Sequence, residues 1–73
     1  MRYTVIIHEG RESGFVAICP ALAGCVSQGR TRRAALKNIK EAMEAYIEAL
    51  IEDGLHVPVE AARATVDIEV AAR

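Results

Sequence analysis

Residues 2–9 are rich in β-branched and aromatic side chains. Tyr3, Val5 and Ile7 fall on one side of an extended chain and Arg2, Thr4, Ile6 and His8 on the other. The polar stretch 10–14, bracketed by Gly10 and Gly14, predicts a hairpin turn. Residues 15–19 predict a second strand that is apolar on both faces, Phe15, Ala17 and Cys19 against Val16 and Ile18. Pro20 has no N–H for a ladder and ends that strand. Ala21-Leu22-Ala23-Gly24 then turns the chain into a short third strand near residues 25–29.

The period changes at Thr31, a good helix-capping residue, and no Gly or Pro follows until Gly54. Leu36, Ile39, Met43, Tyr46, Ile47 and Leu50 recur at steps of three and four, while Lys37, Lys40, Glu41, Glu44 and Glu48 fall largely between them. One amphipathic helix of roughly 22 residues, about 33 Å long, is the expectation. Gly54 is placed to close it. Residues 55–64 read as irregular, with a helical turn over 59–64 as the alternative after Pro58. Val66, Ile68 and Val70 then alternate with Asp67 and Glu69, which predicts a fourth strand with one buried face.

The element order is therefore β-β-β-α-β, an α+β fold. Short links make the first three strands an antiparallel meander. A right-handed crossover through the helix sets the fourth strand parallel to the first, in sheet order 3-2-1-4. One helix shields one face of such a sheet. Strand two is apolar on both, so either Ile6 with Val16 and Ile18, or Tyr3, Val5 and Ile7 with Phe15, is left facing outward. An apolar patch of that kind marks an interface, and a homodimer or higher oligomer formed through the sheet is expected.

Composition narrows the function. Seventy-three residues make a single domain over 1–73, and a domain this short buries only ~60% of its unfolded surface, which makes assembly useful. Nine basic against ten acidic residues give a net charge of −1, so binding of DNA or RNA by bulk charge is expected to be weak. No apolar run approaches the ~18 residues of a membrane span. Met1-Arg2-Tyr3-Thr4 alternates instead of opening a signal peptide, and two cysteines are too few for a disulfide scaffold. A cytoplasmic protein is the expectation.

The run Pro20-Ala21-Leu22-Ala23-Gly24-Cys25-Val26-Ser27-Gln28-Gly29-Arg30-Thr31, read as Pro-x-Leu-x-Gly-Cys then Gly-x-Thr before a long helix, resembles the HicB family of bacterial and archaeal antitoxins. Gly14-Phe15-Val16-Ala17, Ala35-Leu36, and Gly54 with Val57-Pro58 extend the likeness over nearly all of residues 1–60. The resemblance implies a truncated ribonuclease-H-like β-β-β-α-β domain that binds a small RNA-cleaving (HicA-type) toxin and blocks it. It also singles out Pro20, Gly24, Cys25, Gly29, Thr31, Gly54 and Pro58 as structural motif positions. Two departures stand out. The family's Glu three residues after the capping Thr is Ala34 here, with Arg32 and Arg33 in the first turn. Only Ala71-Ala72-Arg73 follow the last expected strand, so no separate DNA-binding domain, and no operator binding by this chain alone, is expected.

No catalytic, cofactor or metal site is expected. Nuclease chemistry of the ribonuclease H type needs carboxylates converging on metal ions, one of them central to strand one. That strand offers Glu9 only at its end, and Asp67 and Glu69 read as a solvated face. Cys19 and Cys25 flank the Pro-to-Gly loop at a spacing longer than Cys-x-x-Cys and read as small buried residues. His8 and His56 stand apart. Arg30, Arg32 and Arg33 crowd a helix N-terminus, where positive charge is unfavourable. They mark either an anion-binding or partner-facing edge, or a solvated corner paired with acids such as Glu12 or Glu60. Glu9 and Glu12, the helix row Glu41, Glu44, Glu48 and Glu52, and Asp67 with Glu69 offer acids to a basic, RNA-binding partner. The alternative function is a standalone oligomeric RNA- or ligand-binding module without a toxin.

Overall fold

The computed structural model describes residues 1–60 and 64–71. Three strands, β1 (Ile6–Glu9), β2 (Phe15–Ile18) and β3 (Val26–Gly29), precede one long helix, α1 (Arg32–Glu52). The sheet order is β1-β2-β3 with both pairings antiparallel, which makes the protein α+β with a three-stranded meander. Ile6 faces Ile18, which faces Val26; Glu9 faces Phe15, which faces Gly29.

β1 is shorter than the sequence pattern suggests, for a chemical reason. The next hydrogen-bonded rung beyond Ile6↔Ile18 would set Thr4 against Pro20, which has no N–H to give. Thr4 turns elsewhere: its N–H and hydroxyl both donate to the Glu60 carboxylate, the hydroxyl at 2.8 Å. Beside it the Tyr3 hydroxyl donates to the Pro58 carbonyl. The chain following the helix is thereby tied to the start of β1.

Alpha helix α1 begins as its cap predicts. Thr31 is extended (φ −123°, ψ 162°), and its Oγ1 accepts from the Ala34 N–H at 3.0 Å. With Ala34 in place of Glu, only this half of a capping box forms. At the far end the Gly54 N–H donates to the Ile51 carbonyl (3.1 Å) and the Leu55 N–H to that of Leu50 (2.9 Å). Those two bonds are a Schellman closure around Gly54.

The core is small and made largely of small residues: Ala17, Cys19, Leu22, Cys25, Ala35 and Ile39 are buried, ringed by half-buried Tyr3, Val5, Ile7, Phe15, Met43, Tyr46 and Ile47. The helix thus covers the Tyr3/Val5/Ile7 and Phe15/Ala17/Cys19 face. The outward face carries the row Ile6, Ile18 and Val26, with Ile6 49% and Val26 54% exposed. Gly29 shows why the approach is close. A Cβ there would stand 2.5 Å from the Ala35 nitrogen and 2.7 Å from the Ala34 carbonyl carbon.

The fourth strand is the main departure from expectation. Residues 64–71 take no strand or helix, and Val66, Ile68 and Val70 are 77%, 81% and 79% exposed. Their alternation carries the propensity for a strand, but a strand exists only by pairing, and the segment meets no sheet edge of its own chain. The alternative helical turn over 59–64 includes residues 61–63, which lie outside the described residues.

Candidate partner-binding surfaces

The motif loop between β2 and β3 is architecture. The Cys19 N–H donates to the Cys25 carbonyl (3.0 Å), that of Leu22 to Cys19 (3.1 Å) and that of Cys25 to Leu22 (3.0 Å). Leu22 is thereby folded back into the core, and Gly24 makes the return at φ +76°, where a side chain would be strained. Cys19 and Cys25 are free, buried thiols on facing positions. Burial, and next the neighbouring Cys19, pushes the Cys25 thiol above its ordinary 9.0.

Charge gathers at the opposite end of the sheet. The hairpin turn after β1 and the end of β3 border an open groove of about 960 Å³, lined among others by Arg11, Glu12, Phe15, Gln28 and Arg30. Two expected partner-facing residues, Glu12 and Arg30, are therefore brought together. Arg11 joins them, with no signal in the sequence beyond its place in a turn. Arg32 and Arg33 are exposed on the first turn of α1, the next residues of the chain but not part of the groove lining. Glu9 ends β1 with its side chain exposed; its carbonyl oxygen lies 2.9 Å from His8 Nδ1.

Among the described residues the only ion pair is Lys37–Glu41 at 3.2 Å, on the outer face of the helix. Arg30, Arg32 and Arg33 thus do not pair with Glu12, and Glu60 is engaged by Thr4 at the other end of β1. Glu41, Glu44, Glu48 and Glu52 are all exposed along α1. The first turn of the helix holds no acid and the last no base, so its charges oppose the macrodipole at both ends. Among the described residues no three His, Cys, Asp or Glu side chains cluster to hold a metal ion. Among the described residues no helix is long and apolar enough to cross a membrane.

The structure is thus a small sheet with one covering helix, charged at its hairpin end and acidic along the helix. Residues 3–71 match the family described as the HicB_like antitoxin of bacterial toxin-antitoxin systems, and the chain belongs to that family. It is 48% identical over 58 residues to a UPF0150 protein of Thermoplasma acidophilum, an alignment covering 80% of this chain and 84% of that one. A UPF0150 protein of Synechocystis is also 48% identical over 58 residues, covering 80% and 73% of the two chains. One from Archaeoglobus fulgidus is 29% identical over 62 residues, covering 82% and 90%. The role of this family is that of the antitoxin in a toxin–antitoxin system, which implies a toxin as partner.

Proposed function

We propose that this protein neutralises a small RNA-cleaving, HicA-type toxin by protein–protein contact, as a non-catalytic cytoplasmic antitoxin. The observation that carries the reading is the family match across residues 3–71. The physical logic is one of competing surfaces. A toxin that cleaves RNA presents a basic surface to phosphates, and a protein that occludes it needs acids in their place. The exposed row Glu41, Glu44, Glu48 and Glu52 supplies them along the helix, unpaired except at Glu41 among the described residues. Arg30, Arg32 and Arg33, with Glu12 and Glu9 nearby, meet carboxylates or polar loops at the margin of the contact.

Copies of the chain associate through the sheet as a homodimer or higher oligomer. The outward row Ile6, Ile18 and Val26 supports this, since exposed apolar patches of that kind are usually covered. Binding of generic DNA or RNA is weak and lost by physiological salt, with a log–log slope near −3 for about three neutralised phosphates. Co-purification with the product of the neighbouring gene tests the partnership. A stable complex is expected, and failure to bind any such product would favour a standalone binding module.

A further inference from the structure

Two features of the structure match in pattern, and among the described residues neither pairs within the single chain. The first is the free edge of β1. The Gly10 N–H donates to the Gly14 carbonyl at 2.8 Å, so by the alternation of an antiparallel ladder His8 and Ile6 also bond toward β2. Ile7, between them, turns its N–H and C=O away from the sheet, where no bond to them is made among the described residues. The opposite edge differs: on β3 the Gln28 carbonyl accepts from Asn38 Nδ2 at 2.8 Å, so the helix covers it. Next to β1, under α1, lies a cleft of about 430 Å³ whose lining includes Tyr3, Val5, Leu36 and Met43. The second feature is the exposed alternating segment, apolar at Val66, Ile68 and Val70 and acidic at Asp67 and Glu69.

We propose that residues 66–70 of a second copy add to the free edge of β1 as a strand, and that two copies exchange these strands reciprocally. Val66, Ile68 and Val70 then enter the apolar cleft beneath α1. Asp67 and Glu69 fall on the other face, beside Arg2 and His8 of β1 and the residues leading into it, so charge as well as hydropathy matches. A second copy is the occupant because the segment stands off as an arm in its own chain. The Cα radius of gyration is 15.4 Å, where a compact chain of this length gives about 11 Å. Identical arms exchanged about a twofold axis close on themselves and leave no free β1 edge for further growth. The proposal rests on the reading that copies associate, and goes beyond it by naming the segment and the edge.

Hydrogen exchange of the full chain at high and low concentration, with sedimentation equilibrium at both, tests it. The amides of residues 66–70 are expected to be protected where the chain is dimeric and to lose that protection on dilution. Ile68→Pro, which removes an N–H from the exchanged strand, is expected to lose the protection of residues 66–70 and to self-associate more weakly than the parent chain, with unchanged helix content by circular dichroism. Protection that persists unchanged in the monomer would overturn the exchange in favour of pairing within one chain. A dimer whose residues 66–70 are unprotected would also overturn it, while leaving self-association standing. A monomer at all concentrations with no protection would reject both.

Discussion

Gly29 and Cys25 show at the residue scale what the Pro20–Thr31 stretch does for the packing of this chain. Gly29 leaves room for the first turn of α1, and a methyl group there runs into the Ala34–Ala35 peptide and the Ala34 side chain. Gly29→Ala should lower unfolding stability by about 1–3 kcal/mol in urea titrations; an unchanged midpoint would show that the helix can retreat. Cys25 titrates in a predictable direction. Its thiol is raised in the folded protein, so its contribution is fully present below the unfolded value and is lost as pH rises past about 9.0 toward the higher folded value. Unfolding followed against pH should show that decline, and Cys25→Ala should flatten it. A wild-type profile with no decline through that range would contradict the burial argument.

Opposed charges govern α1 at the scale of elements. Arg32 and Arg33 sit in its first turn without a compensating acid. Arg33→Glu should raise stability by about 0.3–1 kcal/mol at low salt, less at high salt. The same change should weaken toxin binding if this corner faces the partner. Thermal melts with and without salt check the first part, and a melting temperature that does not rise would refute it. Much of this element was legible in the sequence, because Thr31, the three- and four-residue steps and Gly54 are local signals. The hairpin was legible too, since Gly10 and Gly14 bracket a turn between alternating runs. Which face the helix covers was not, because β2 is apolar on both sides and alternation is blind to that choice. The outcome exposes Ile6 and Val26 together. Val66, Ile68 and Val70 misled for a related reason: their pattern states a propensity, while a strand needs an edge supplied from elsewhere. Of the candidate site, the sequence suggested Glu12 as an ion-pair partner of the Arg30 corner, whereas the two line one groove with Arg11 and make no ion pair among the described residues, an arrangement that depends on the β2–β3 register.

At the scale of the molecule, arginines that make no ion pair among the described residues gather with Glu12 at the hairpin end, and an acidic row runs along the helix, although the net charge is only −1. An antitoxin that docks by that row should associate with its toxin faster at low salt, and Glu44→Lys with Glu48→Lys should slow association at least as much as it speeds dissociation. Stopped-flow mixing at two ionic strengths would show it; a salt-independent rate would place the contact elsewhere. The central claim is that binding covers the catalytic surface of the toxin, and inhibition reports on it most directly. Purified toxin, cleaving a labelled RNA, should lose activity in proportion to added antitoxin and reach complete inhibition at the stoichiometry of the purified complex. A stable complex that cleaves RNA at the undiminished rate would contradict the account.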